Sequence, residues 1–138
     1  MTESEFRRRL VRALSGLHVE YMSSMNRPGI PDIHMIVEGR AFWIELKAFD
    51  TWPKRPGSNV LKRHRFTGPQ LAFMSAVDEA GGRGLGLICD PEGRVIAVRR
   101  HHLADDGALS AIEARRHRGL WLGDPNFAQR FWSLLTRA

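Results

Sequence analysis

Near the start of the chain apolar residues recur at three- and four-residue intervals: Phe6, Leu10, Ala13, Leu14 and Leu17 share one face of a helix. Thr2 or Ser4 can cap this helix, and Gly16 marks its end. The period then falls to two. His18 to Ser23 reads as a short strand, and Asn26-Arg27-Pro28-Gly29 carries turn chemistry. Pro31 to Val37 and Ala41 to Ala48 form two β-rich runs around Glu38-Gly39, the pattern of a hairpin. Thr67-Gly68-Pro69-Gln70 opens a second helix with an apolar face of Phe73, Met74, Val77 and Ala80, stopped by Gly81-Gly82. Two further strands, Leu85 to Cys89 and Arg94 to Val98, flank the turn Asp90-Pro91-Glu92-Gly93. Ala108 to Arg116 and Asn126 to Leu135 read as terminal helices, with Trp121, Phe127, Phe131 and Trp132 available to dock on the sheet. The order α-β-β-β-α-β-β predicts an α/β fold with a mixed central sheet flanked by helices.

A two-residue Glu38-Gly39 turn sets the hairpin register: Val37 faces Arg40, Met35 faces Phe42, Ile33 faces Ile44 and Asp32 faces Glu45. Side chains alternate along a strand, so Trp43, Glu45 and Lys47 lie on a polar face with Asp32 and His34, while Phe42, Ile44, Leu46 and Ala48 turn to the apolar side. Two carboxylates directly opposed on one face repel each other. A hard divalent cation such as Mg²⁺, usually held by one or two carboxylates with waters and phosphate oxygens, offsets that cost. A neighbouring ammonium, Lys47, can orient or help deprotonate an attacking water and balance charge growing on a phosphate. The same residues also suit an ordinary exposed hairpin with a Glu–Lys pair.

Composition narrows the classes. The 138 residues allow one domain, 1–138, and no run approaches the length of uncharged apolar sequence that a membrane span needs. The charge-dense start lacks the pattern of an export signal, and a single cysteine, Cys89, rules out an internal disulfide and thiolate zinc clusters; the expectation is a soluble, cytoplasmic protein. Lys plus Arg number 21 against 15 Asp plus Glu, a net charge of +6 that favours a polyanionic partner, although the strong arginine preference also fits a GC-rich genome. From Thr51 to Phe66 there is basic charge and no acid, which reads as a mobile basic loop. Arg27 in the preceding turn, with Lys54, Arg55, Lys62, Arg63 and Arg65 in this run, are the candidate phosphate contacts.

With Gly29-Ile30-Pro31-Asp32 on one strand and Glu45-Leu46-Lys47 on the next, the chain resembles the PD-(D/E)XK nuclease superfamily. Glu3-Ser4-Glu5-Phe6 ahead of Leu10-Val11, the Phe42 to Ala48 strand and Gln70 on a helix make it similar to a small stand-alone virus-type replication-repair nuclease (VRR-NUC) domain, over roughly residues 3 to 98. The residues from about 100 to 138, read as a helical extension, match no feature of that family. The resemblance implies a restriction-endonuclease-like core, shared with Holliday junction resolvases. It also implies Mg²⁺-dependent hydrolysis of DNA, with Mn²⁺ able to substitute, leaving a 5′-phosphate and a 3′-hydroxyl. It places Asp32, Glu45 and the Leu46 carbonyl on the metal, Lys47 on the nucleophilic water and Gln70 beside the active site. Relatives that cut two strands usually work as dimers, so the resemblance admits a homodimer. Substrates of this class are branched, flap or junction DNA in the replication, repair or recombination of a phage or bacterial genome.

Two positions carry a second reading. Thr67-x-x-Gln70 is also a capping box, in which the glutamine bonds only the helix start. Relatives often place a glutamate directly after the residue equivalent to Phe6, where this chain has Arg7. Glu3, about 40° from the centre of the helix's apolar stripe at 100° per residue, is the substitute that the geometry favours, while Glu5 points away. His101-His102 with Asp105-Asp106 lacks metal-ligand spacing, and Cys89 in an apolar run is a small core residue.

Overall fold

A computed structural model describes residues 1–22, 29–99 and 109–138. Helix α1 spans Glu3–Ala13 and is capped by Thr2, whose hydroxyl accepts the Glu5 N–H at 3.1 Å. Phe6 and Leu10 are buried along it, and Leu14, the C-cap, closes the stripe. Leu17 lies past the end of the helix and is 41% exposed rather than part of that face. The following strands are β1 (Glu20–Tyr21), β2 (Ile33–Val37) and β3 (Arg40–Ala48). Helix α2 covers Gly68–Glu79, then β4 (Arg83–Cys89), β5 (Arg94–Arg99), α3 (Leu109–Arg115), β6 (Leu120–Trp121) and α4 (Phe127–Thr136) complete the chain.

Among the described residues six strands form one sheet in sequence order, antiparallel throughout except for β3 beside β4. The crossover through α2 makes that pair parallel, as expected when a helix returns the chain to the same edge of a strand. The β2–β3 register is the one that the Glu38-Gly39 turn predicts, with Ile33 opposite Ile44 and Val37 opposite Arg40. Both turn residues have positive φ, 50° and 77°, the twist that suits a two-residue hairpin. Trp121 departs from expectation. It extends the edge of the sheet in β6, 43% exposed with the Arg94 guanidinium 4.3 Å above its ring, because opposing Arg94 in the ladder points it outward.

Helices cover both faces of the sheet. Phe6 and Leu10 of α1 and Phe127, Phe131, Leu134 and Leu135 of α4 pack with Ile44, Leu46, Leu85 and Leu87 on one face. On the other, Met74 of α2 and Ile112 of α3 pack with Ile88, Ile96 and Val98. The segment expected as a mobile loop belongs to this second layer: Val60 and Leu61 are 2% exposed and Phe66 9%. Without it the apolar side chains of β4 and β5 would face water, so a chain segment rich in charge is nevertheless held by its few hydrophobes. Of the expected α2 face, Met74 alone is fully buried, whereas Ala80 is the exposed C-cap and Leu71 packs in its place.

Two glycines allow close approach. A Cβ on Gly84 would lie 2.6 Å from the Met74 Cβ, so α2 sits on β4 at a distance that no larger residue permits. Gly84→Ala is expected to lose about 1–3 kcal/mol through overpacking, measured as a lower urea midpoint with an unchanged m-value. An unchanged midpoint would show that α2 is free to shift. Gly29, with φ of +89°, brings the chain before β2 against Pro69, where a Cβ would be 2.7 Å from a backbone oxygen. That contact places Asp32 beside the start of α2.

Candidate active site

Asp32 stands immediately before β2, where the β2–β3 ladder ends at Ile33 opposite Ile44. The next N–H on β3, that of Leu46, lacks a ladder partner there, and Asp32 Oδ2 accepts it at 2.8 Å. In an extended strand the N–H and C=O of one residue face the same side, so the Leu46 carbonyl also faces Asp32. Asp32 Oδ1 accepts from Arg7 Nη1 at 3.1 Å, and Arg7 Nη2 donates to the Met22 carbonyl at 3.0 Å. Glu3, Ser4, Arg7, Asp32 and Leu46 line a small cavity of about 120 Å³.

Glu45 and Lys47 share a face, as alternation requires, yet both are only 5% exposed. Helix α2 and the 49–66 segment cover what the hairpin alone would leave in water. Glu45 Oε1 accepts the Gln70 side-chain amide at 2.8 Å and lies 3.9 Å from Lys47 Nζ. Oε2 is buried without a hydrogen-bond partner. Burial above all, then the neighbouring Asp32 carboxylate, pushes the Glu45 carboxyl up to about 8 against the opposing pull of Lys47. Lys47 Nζ also lies 3.9 Å from Glu3 Oε1 and 5.5 Å from the centre of the Phe66 ring. Burial and Asp32 raise the Glu3 carboxyl, while Lys47 and His64 lower it.

The two readings of Gln70 turn out to be compatible. Its side-chain amide oxygen accepts the Thr67 N–H at 2.8 Å while its backbone N–H donates to the Thr67 hydroxyl at 3.3 Å, a complete capping box. Because Thr67 N–H can only donate, the amide oxygen must face it, and the NH₂ is left to hold Glu45. The helix cap therefore orients a site residue.

Asp32, Glu45, Leu46, Lys47, Gln70 and Glu3 come together in the fold. Lys54, Arg55, Lys62 and Arg65 are exposed on the 49–66 segment, and Lys62 and His64 border a groove of about 640 Å³ beside the end of β3. Arg27, the side chain of Arg63, and His101, His102, Asp105 and Asp106 lie outside the described residues. His34 packs its ring on Trp43, 4.3 Å between centroids, with Glu20 3.7 Å from its Nδ1. The role of Arg7 was missed in the sequence, although its signal was there: it follows Glu3 by four residues, which puts both on one side of α1.

Among the described residues no group of three or more Asp, Glu, His or Cys side chains is arranged to hold a metal ion. The donors do suit a hard cation that needs few protein ligands: a buried Glu45 oxygen without a partner, beside a second carboxylate and a strand carbonyl facing it. No helix of the described residues is long and apolar enough to cross a membrane.

No family model matches the chain, and no curated protein matches it. Among solved structures the chain is similar to Hjc, a Holliday junction resolvase from the archaeal hyperthermophile Archaeoglobus fulgidus, at 14% sequence identity and a TM-score of 0.48 over 72% of this chain and 73% of that one.

Proposed function

We propose that the protein is a divalent-metal-dependent endonuclease of the PD-(D/E)XK class, a small VRR-NUC-type domain that hydrolyses phosphodiester bonds in branched, flap or junction DNA. The observation that carries this reading is the buried cluster in which Glu45 keeps one oxygen without a partner beside Asp32 and Lys47. A purely structural carboxylate in such a place is ordinarily fully hydrogen-bonded, because an unsatisfied buried acceptor costs about 1–3 kcal/mol.

Asp32, Glu45 and the Leu46 carbonyl would hold Mg²⁺ or Mn²⁺, with Glu3 at the edge of the site. When bound, the cation supplies positive charge to the phosphate and lowers the pKa of a water. Lys47, fixed between Glu3 and Glu45, orients the attacking water and balances the negative charge that develops on the phosphoryl oxygens. Gln70 keeps Glu45 in one rotamer. Water adds to phosphorus as the bond to the 3′ oxygen breaks, leaving a 5′-phosphate and a 3′-hydroxyl.

A second reading, a catalytically silent nucleic-acid-binding module on the same fold, draws on the Arg7–Asp32 ion pair, which satisfies Asp32 without a metal. One incubation separates them: branched and linear DNA with Mg²⁺, with Mn²⁺ and with chelator. Cleavage of branched DNA that depends on the cation supports the enzyme, and binding without cleavage under every condition supports the module.

On either reading the exposed basic residues around the groove bind phosphates. Lys54→Ala, Lys62→Ala and Arg65→Ala together are expected to lower the log–log salt slope of duplex binding by roughly 0.9 for each phosphate no longer neutralised. An unchanged slope would place DNA elsewhere.

A further inference from the structure

Glu3, Asp32 and Glu45 bring three carboxylates together and offer two places for a cation, one between Asp32 and Glu45 and one between Asp32 and Glu3. The two places are not equivalent. On the Glu45 side, Oε2 is buried without a hydrogen-bond partner, and burial together with the Asp32 carboxylate pushes the carboxyl up to about 8. That side lacks positive charge. On the other side is the small cavity lined by Glu3, Ser4, Arg7, Asp32 and Leu46, and it has cations built into it. Arg7 Nη1 donates to Asp32 Oδ1 at 3.1 Å, and Lys47 Nζ lies 3.9 Å from Glu3 Oε1.

Arg7 is fixed where it stands. It follows Glu3 by one turn of α1, which keeps both on one side of the helix, and its Nη2 donates to the Met22 carbonyl at 3.0 Å. A guanidinium stays protonated throughout the pH range of a folded protein, so this charge is permanent. Asp32 is in turn pinned, because its second oxygen accepts the Leu46 N–H at 2.8 Å. The carboxylate therefore cannot swing away from Arg7 toward a newly arriving ion without giving up a backbone hydrogen bond.

We propose that the cluster binds one divalent cation, on the Glu45 side of Asp32, and that Arg7 holds the place of a second as a fixed positive charge. The inference rests on the reading of this cluster as a metal site. Charge balance supports it: the carboxylates of Glu3, Asp32 and Glu45 face the cations of Arg7 and Lys47, which leaves these five side chains with one negative charge when all are ionised. A single divalent ion turns that excess into one positive charge. A second would raise it to three in a partly buried site, where like charges are poorly screened. Sites built for two metal ions use the pair to neutralise the attacking and leaving oxygens together; here part of that charge belongs to the chain itself.

The test counts ions. Mn²⁺ is titrated into the full chain in metal-free buffer, and the free ion is measured by its electron paramagnetic resonance signal. The parent chain is expected to bind one Mn²⁺, Arg7→Gln two, and Arg7→Lys, which keeps the charge, one. Glu45→Gln is expected to lose the single ion. Thermal unfolding in chelator checks that each variant is folded, and the parent's own count is decisive without any variant. Two ions in the parent overturn the inference and leave the metal-dependent nuclease reading standing, whereas no ion in the parent removes the metal site and the inference with it. Arg7→Gln that still binds only one ion, or binds it more weakly and gains none, shows that the guanidinium merely holds Asp32, and overturns the proposal. One ion retained in Glu45→Gln overturns it as well, since the ion would then lie on the side assigned to Arg7.

Discussion

Lys47→Ala is expected to bind branched DNA nearly as well as the parent chain and to cut it about 10²–10³ times more slowly, a loss of roughly 2.7–4 kcal/mol of transition-state stabilisation. The asymmetry follows from where the ammonium sits. It is buried between Glu3 and Glu45, over Phe66, with little surface to offer a phosphate backbone in the ground state. What it can stabilise is charge that appears beside it during reaction, and removing an interaction made only then lowers the rate without lowering affinity. A gel shift run beside a cleavage time course in Mg²⁺ reads both quantities. Equal cleavage by variant and parent would remove Lys47 from the chemistry, and a parent that binds without cutting any DNA would leave the binding module as the function.

Glu45→Gln is expected to reverse its effect on stability according to whether a divalent cation is present. The folded protein holds the Glu45 carboxyl at about 8, far above its ordinary value of 4.5. Between those two pH values the native state keeps a proton that the unfolded chain has released, so stability contributed by the protonated form is complete below about 4.5 and is lost as pH rises through 8. The raised Glu3 carboxyl acts in the same direction. The amide in Glu45→Gln carries no such proton. At pH 8 in chelator the variant should therefore be the more stable protein, by ~1–3 kcal/mol if the buried, partnerless oxygen is the source of the strain. With Mg²⁺ at about 100 times its Kd the parent chain gains about 2.7 kcal/mol, while the variant gains little. Urea unfolding at pH 5 and 8, with and without Mg²⁺, measures all four states. If Mg²⁺ stabilises both proteins equally, Glu45 is not a metal ligand.

The two experiments address different parts of one cluster. Glu45 reports whether a cation is held and Lys47 whether the cluster does chemistry, so a protein that binds Mg²⁺ but gives equal, negligible cleavage with and without Lys47 would be a metal-stabilised binding module. Arg7 connects them. Its guanidinium occupies one oxygen of Asp32 and is tied to the Met22 carbonyl, so the protein itself orients the carboxylate.

The amino-acid sequence by itself determined the local frame of the site. Glu38-Gly39 set a two-residue turn, the turn set the register from Val37–Arg40 to Ile33–Ile44, and alternation along β3 set Glu45 and Lys47 on one face; each step depends on neighbours within a few residues, which is why it could be read, whereas Asp32 lies just past the ladder and is held by the Leu46 N–H. The Thr67-to-Gln70 cap was legible for the same reason, since both its bonds close within one helical turn. Tertiary structure decided the rest. Whether Glu45 and Lys47 face water or protein depends on the 49–66 segment, whose charges announced a loop while Val60, Leu61 and Phe66 were claimed by the apolar side chains of β4 and β5. Gln70 meets Glu45, and Arg7 meets Asp32, across 25 residues in each case, contacts that no local period encodes. Strand β6 is two residues long, and its register comes from the β5 edge beside it rather than from any pattern of its own. Alternation and capping act at short range and can be read along the chain. Desolvation of a carboxylate is the work of every element packed around it, and only the folded protein brings those together.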